Sequence, residues 1–195
     1  MLEAIFTLIG TVMGTVLGFF LSEWAQSRRE NREQKRRSSA IRTLISLEMN
    51  TNLKDLESFW IEVNKTEESA ANEKQIKIQF ARRILNLAFP DMSQDAFKSQ
   101  MTQLPLAVNS QLLSKIFQFY DRITRLQALR EALDIAAREQ RLDQSLVDQS
   151  NSIPAAAKIM FLSQRFDNSA PAIGEEFGKV ISQLMSDGNP LEFDG

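Results

Sequence analysis

The side chains that most often carry out catalysis and metal binding are scarce in this sequence. The 195 residues include no Cys and no His. Disulfides, thiolate zinc sites, Cys nucleophiles, His-ligated metals and Ser-His-Asp triads are therefore excluded. What remains is Ser, Lys and 25 acidic residues, which could in principle supply a Ser-Lys pair, paired carboxylates or oxygen ligands for a hard cation.

These residue types do not stand at the spacings that such chemistry requires. The sequence contains no GxxxxGK[ST] and no GxGxxG loop that could cradle a phosphate. Ser114 and Lys115 are adjacent, so on a helix they point to different sides and cannot form a dyad. The segment DQSNS at 148–152 lacks the glycine and the terminal Glu of an EF-hand loop. We therefore predict a protein that is not an enzyme and has no catalytic residue, cofactor or metal.

An uncharged apolar run dominates the N-terminal part of the chain. It extends from Ala4 to Ser22, between Glu3 and Glu23. As a helix these 19 residues would reach about 28 Å, close to the roughly 30 Å hydrocarbon core of a bilayer. The run therefore predicts a transmembrane helix over residues 1–22.

Three other interpretations of this run are less consistent with its flanks and composition. A cleaved signal peptide has a basic N-terminal flank, whereas here that flank is acidic and the basic residues follow the run. A helix buried in a globular core is not normally apolar on all sides over such a length. An interfacial helix carries charge along one face, and this run carries none.

A basic segment follows the run and sets its predicted orientation. Residues 23–37 carry a net charge of +3, whereas residues 1–22 carry −1 and residues 38–195 carry −4. By the positive-inside rule the N-terminus lies outside and the bulk of the chain in the cytoplasm, at the inner membrane. No aromatic residues interleave with the arginines, so nucleic acid is not an expected partner. The residues predicted to meet lipid headgroups are Trp24, Arg28, Arg29, Arg32, Lys35, Arg36 and Arg37.

The predicted span has two unlike faces. Glycines and threonines each recur every four residues on one side, and at 100° per residue they fall within an arc of about 140°. Small residues let helices approach closely, and Thr hydroxyls bond across an interface. This face predicts a homo-oligomer; packing against a different membrane protein and chance composition are the alternatives. Its members are Glu3, Thr7, Gly10, Thr11, Gly14, Thr15, Gly18 and Ser22.

A ring of several copies would give this face a further role. Its threonines and Glu3 would then line a pore through the membrane. In a second hypothesis the span only locates the protein, and its cytoplasmic part acts as an adaptor that binds a cytoplasmic or membrane partner.

The rest of the sequence predicts a cytoplasmic helical bundle at 40–190, joined to the span by a linker helix at 23–39 and followed by a tail at 191–195. Proline and cap residues divide the bundle into helices. The predicted helices lie at 40–63, 75–89 (ended by Pro90), 93–103 (capped by Ser93), 110–139 (capped by Asn109 or Ser110), after Pro154, and after Pro171. The predicted fold class is all-α, with one N-terminal transmembrane helix continuing into the bundle.

Two segments of the predicted bundle carry a resemblance. They are LISLEMNTNLKDLE at 44–57 and LPLAVNSQLLSKIFQFYDRITRL at 104–126. With the Gly-rich span and the Arg-rich flank, the chain resembles uncharacterised bacterial single-pass membrane proteins over about residues 5–130. The architecture is also similar to small membrane accessory proteins found beside CRISPR and other antiphage systems, some of which form oligomeric pores. HEPN-like members of that group use a catalytic His, so the resemblance implies no nuclease here.

Overall fold

The computed structural model describes residues 2–65, 73–149 and 155–191, and within them the side chains of residues 13–65, 73–139 and 166–191. The described residues form helices and no strand, which confirms the predicted all-α class. The helices are α1 (Leu2–Asn64), α2 (Glu73–Asn86), α3 (Asp95–Gln100), α4 (Leu104–Ala107), α5 (Ser110–Gln149) and α6 (Ala155–Asp187).

The first helix, α1, is uninterrupted for 63 residues, or about 95 Å at 1.5 Å per residue. Neither Pro nor Gly occurs from residue 19 to residue 64, so this part of the helix contains no residue that would kink it. The helix predicted to continue through the basic segment is therefore present. All side chains from 13 to 37 are exposed, and the first buried one is Ile41. The N-terminal half of α1 thus projects from the bundle.

No helix in the described part of the chain combines the length and the apolar composition that crossing a bilayer demands. Part of the predicted span lies outside the described side chains. That part includes four residues of the predicted packing face, Glu3, Thr7, Gly10 and Thr11.

The core forms where α1, α2, α5 and α6 converge. The apolar stripes of α5 and α6 pack along each other, α2 packs on α6, and the C-terminal half of α1 closes the bundle. Three phenylalanines from different parts of the chain, Phe59, Phe89 and Phe177, meet edge to face at ring separations of 5.3 to 6.1 Å. Such contacts add to the free energy gained by removing the rings from water.

The helix at 155–187 differs from the prediction. A boundary was predicted at Pro171, but Pro171 lies inside α6, which continues on both sides of it. Proline removes one backbone hydrogen bond and destabilises an isolated helix. Here Phe166 and Ala170 before it and Phe177 after it are all buried in the core, so tertiary packing holds α6 together across the proline.

The connection between α2 and α5 also differs in detail. α2 ends at Asn86, before the predicted stop at Pro90. The predicted helix from Ser93 to Gln103 is shorter, and Pro105 lies in the first turn of α4 rather than after a helix. The predicted cap of α5 is confirmed, because Asn109 Oδ1 accepts the N–H of Leu112 at 2.8 Å.

Candidate functional site

The projecting part of α1 exposes large apolar side chains from residue 13 onward. Phe19 and Phe20 are 66% and 62% exposed, and Leu21 and Trp24 are also exposed. An exposed apolar surface of this kind is a candidate contact surface for protein or membrane. No side chain that the structure describes covers it.

Two glycines of the predicted packing face, Gly14 and Gly18, lie on this projecting segment. A Cβ atom placed on either one would meet no atom within 4 Å. Thr15 and Ser22 lie on the same exposed segment. The single chain thus leaves room at these positions for another helix to approach closely.

The basic segment continues α1 as an exposed polar stalk. The guanidinium of Arg28 lies 3.7 Å from the ring centroid of Trp24, a cation–π contact. Arg37 pairs with Glu33 at 2.5 Å one turn away. The other basic residues predicted to meet lipid headgroups are also exposed: Arg29, Arg32, Lys35 and Arg36. The stalk therefore presents its positive charges to its surroundings rather than to the bundle.

The most connected polar group in the core is the carboxylate of Glu48 on α1, which sequence analysis did not identify. Its Oε2 accepts hydrogen bonds from the Ser93 hydroxyl at 3.0 Å and from the Ala96 N–H at 2.7 Å. Its Oε1 accepts from the Phe97 N–H at 3.2 Å and from the Tyr120 hydroxyl at 2.6 Å. Ala96 and Phe97 are in the first turn of α3, so a residue of α1 caps α3.

These contacts give Glu48 a structural role. Burial, together with the hydrogen bond to Glu48, raises the pKa of Tyr120 far above its usual range. A carboxylate that already accepts four donors has no lone pair directed at a substrate, so it is not placed as a general base. The sequence does contain a signal for this role, because Glu48 is an acidic residue at a core position of α1, between Ile45 and Asn52. Its hydrogen-bond partners, however, lie far away along the chain.

Two asparagines form further polar links between α1 and distant segments. Asn52 donates to the Ser93 carbonyl at 2.7 Å and accepts the Ser93 N–H at 3.1 Å. Asn189, just after α6, donates to Ser46 Oγ and to Asn50 Oδ1, each at 2.9 Å. α1 is therefore fixed to both the α3 region and the C-terminal end of α6.

An open apolar groove lies where α1, α2 and α6 meet. Trp60 and Phe80 form one wall with rings edge to face at 5.9 Å, and Gly178 of α6 forms the floor. The volume is about 600 Å³. Lys77 and Glu175 stand at its rim, where the neighbouring lysines hold the pKa of the Glu175 carboxyl below its usual range.

Within the described residues, the acidic side chains form no cluster that could hold a metal ion. Among the described side chains, the exposed apolar part of α1, its basic stalk and the groove could each serve a function. Comparison of the chain with protein-family models, with curated proteins and with solved structures finds no match.

Proposed function

We propose that this chain is a non-enzymatic single-pass membrane protein that self-associates through the Gly/Thr face of its N-terminal helix. The exposed apolar segment at 13–24 carries the proposal. In a monomer in water this segment would leave Phe19, Phe20 and Leu21 uncovered, at a cost of about 25 cal/mol for each Å² of apolar surface. Insertion in a membrane removes that cost.

The stalk supports the same arrangement. Its arginines and lysine follow the apolar residues directly, at the position where a cytoplasmic headgroup region would begin. Each basic residue near an anionic membrane surface contributes about 1 kcal/mol. The proposed orientation has the N-terminus outside and the bundle in the cytoplasm of the cell's inner membrane.

Membrane insertion is tested by fractionating cells that express the full chain. We expect the protein in the membrane pellet after alkaline carbonate washing, and the bundle accessible to protease only from the cytoplasmic side. Release by carbonate would contradict a span and leave only surface attachment.

Self-association is tested by the native mass of the full chain in mild detergent. We expect a discrete oligomer that the Gly14→Leu variant loses, because the added side chain keeps the helices apart. Val16→Leu, on the opposite face of the helix, is the matched control and should retain the oligomer. A Cβ at position 14 would meet no atom within 4 Å, so Gly14→Leu does not begin from a clash within the chain. An unchanged oligomer in Gly14→Leu would refute the Gly/Thr interface.

The copy number distinguishes a pore from a simple oligomer. Five or more copies would enclose a lumen lined by Thr7, Thr11 and Thr15, with Glu3 at its mouth. Conductance across a planar bilayer would then be expected, with a change in ion selectivity in Glu3→Gln. A dimer excludes this form of the proposal.

The second candidate is a membrane-located adaptor, and the groove that Trp60 and Phe80 line is the observation that favours it. In that case a partner recovered from native membranes should be retained by Gly14→Leu. It should be lost in Gly178→Leu, because the new side chain fills the floor of the groove. A partner lost in Gly14→Leu and retained in Gly178→Leu would refute binding in the groove.

A further inference from the structure

A polar concavity lies where the end of the stalk meets α4. Its volume is about 450 Å³, which is within the range of sites that hold small molecules. We name it the stalk cleft. Helix α1 lines it with Lys35, Ser38, Ser39 and Arg42, and α4 lines it with Leu106 and Ala107.

The four polar residues of α1 share one face of the helix. At 100° per residue they fall within an arc of about 100°. From Lys35 to Arg42 the helix rises about 10 Å, and both side chains are long enough to reach towards the serines between them. Two positive charges and two hydroxyl groups are thus directed at one cleft.

The guanidinium of Arg42 is held in place by α4. Its Nε donates a hydrogen bond to the Ala107 carbonyl at 2.6 Å, which orients the plane of the group. No residue that the structure describes accepts a hydrogen bond from its two terminal nitrogens, Nη1 and Nη2. These two nitrogens form the fork that matches the oxygens of a phosphate.

The cleft contains positive charge without a counter-charge. None of the described residues that line it is acidic. The acids on the same stretch of α1, Glu30 and Glu33, lie about 120° and 180° from Arg42 around the helix. Glu33 already pairs with Arg37, whereas Lys35 forms no ion pair within the described part of the chain. An anion would therefore meet attraction from both cations and little opposing repulsion.

The uncharged groups of the cleft are also available as donors. The Ser38 and Ser39 hydroxyls make no hydrogen bond to any described residue, and the same holds for the side-chain amides of Asn31 and Gln34, which also line the cleft. A phosphate monoester has up to two negative charges and three acceptor oxygens. A carboxylate has one charge and two oxygens, so it would use fewer of these donors.

We propose that the stalk cleft binds the phosphate group of a phosphate ester, with the charges of Lys35 and Arg42 around it and the Ser39 hydroxyl as a further donor. The inference goes beyond the proposed function, which assigns no role to this cleft. It requires neither a membrane span nor self-association, because every contact belongs to one chain.

The phosphate group could belong to a soluble molecule or to a lipid headgroup. Lys35 follows Trp24 by 11 residues, or about 16 Å along the helix axis. The headgroup layer on one side of a bilayer is only about 5 to 8 Å deep. In the proposed orientation an upright helix therefore places the cleft beyond the headgroups, which favours a soluble phosphate ester. A headgroup would reach the cleft only if α1 were strongly tilted.

Chemical labelling of Lys35 tests the site, because the next lysine along the chain is Lys54. The full chain in phosphatidylcholine nanodiscs is acetylated at constant ionic strength with increasing inorganic phosphate, and labelled peptides are measured by mass spectrometry. Labelling of Lys35 should slow along a saturating curve, by about fivefold when phosphate is about four times its dissociation constant. Lys54, exposed on the same helix, is the control and should label at an unchanged rate. Equal slowing at both lysines would show only a general ionic effect and would overturn the inference.

Nanodiscs that contain phosphatidic acid, without added phosphate, distinguish the two sources. Protection of Lys35 by inorganic phosphate alone supports a soluble ester. Protection by phosphatidic acid alone supports the same site with a lipid headgroup as its ligand. Protection by neither overturns the inference.

Substitutions in the cleft provide a second measurement. Arg42→Gln should abolish the protection of Lys35 by the bound anion, because the fork is lost. Arg36→Gln removes the same charge from a neighbouring side of the stalk and should retain the protection. Because Arg42 also bonds to α4, Ser39→Ala is the variant that breaks no described side-chain contact. It should raise the phosphate concentration for half protection by about fivefold. Unchanged protection in either cleft variant contradicts the proposal.

Discussion

The Tyr120 hydroxyl of α5 donates a hydrogen bond to the Glu48 carboxylate of α1 at 2.6 Å. The same carboxylate holds the first turn of α3. The Tyr120 ring in turn stacks on Phe97 of α3 with centroids 4.1 Å apart. One buried acid thus joins three helices, and it does so on the helix that we propose carries the span.

Removing the Glu48 carboxylate should destabilise the bundle strongly. Glu48→Ala leaves two N–H groups of α3 and the Tyr120 hydroxyl without an acceptor. Each unsatisfied buried donor costs about 1 to 3 kcal/mol. Because local rearrangement can relieve part of these costs together, we expect the free energy of unfolding to fall by about 3 kcal/mol. Chemical denaturation of the full chain in detergent measures it. Glu57→Ala, an exposed acid on the same helix, should change stability by less than about 0.5 kcal/mol, and equal losses in both variants would disprove the role of Glu48.

The raised pKa of Tyr120 predicts a loss of stability in alkali. Above the ordinary tyrosine value of 10.0, the unfolded chain releases the phenolic proton while the folded chain retains it. The contribution of Tyr120 is therefore complete below that pH and falls by about 1.4 kcal/mol per pH unit above it. The stability difference between wild type and Tyr120→Phe should shrink at this rate, and parallel curves would contradict the prediction.

The single tyrosine of the chain offers a spectroscopic check of the same point. Phenolate absorbance should remain absent in the folded protein above pH 10 and appear together with unfolding. A phenolate signal from the folded state would show that the hydroxyl is not held by Glu48.

A leucine at Gly174 and an alanine at Gly178, both in α6, should have different effects on stability. A Cβ on Gly174 would lie 3.3 Å from Ala81 Cβ, whereas one on Gly178 would meet Phe80 and Trp60 at 3.5 Å, an ordinary contact. Gly174→Leu should therefore overpack the contact between α2 and α6 and cost about 1 to 3 kcal/mol. Gly178→Ala should be neutral or stabilise by up to about 1 kcal/mol through helix propensity. Thermal denaturation of both variants measures these changes in stability. If Gly174→Leu is as stable as the wild type, α2 can move away from α6 to make room for the side chain, and the prediction is wrong.

The C-terminal end of α6 should depend on Asn189. Gly188 adopts a φ of 63°, a conformation that favours glycine, and this turn delivers the buried Asn189 amide to Ser46 and Asn50. Asn189→Ala should cost about 1 to 3 kcal/mol by leaving these polar groups unpaired. Limited proteolysis should then cut near residue 188 faster than in the wild type. Ser186→Ala is a suitable control, and equal cleavage of all three proteins would contradict this role.

Local patterns predicted the helices but not all of their ends. The apolar spacing of α5 and the cap at Asn109 depend on neighbours a few residues away, so the sequence contains the information. The stop predicted at Pro171 is wrong because the core contacts of Phe166 and Phe177 outweigh a local preference. The cap of α3 was predicted at Ser93, one residue before the observed N-cap, Gln94. Ser93 Oγ accepts the N–H of Asp95 at 3.4 Å, but the next two N–H groups are bonded by Glu48, which lies 48 residues away from Ala96.

The sequence by itself determined that this chain is helical, that it lacks Cys and His chemistry, and that an apolar run precedes a basic one on a single long helix. These are properties of composition and of near neighbours along the chain. Only the tertiary structure decided which side of α1 is buried. That choice joins Glu48 to Tyr120, forms the groove beside Trp60, and places Arg42 against Ala107, because burial depends on segments that approach one another only after the chain has folded.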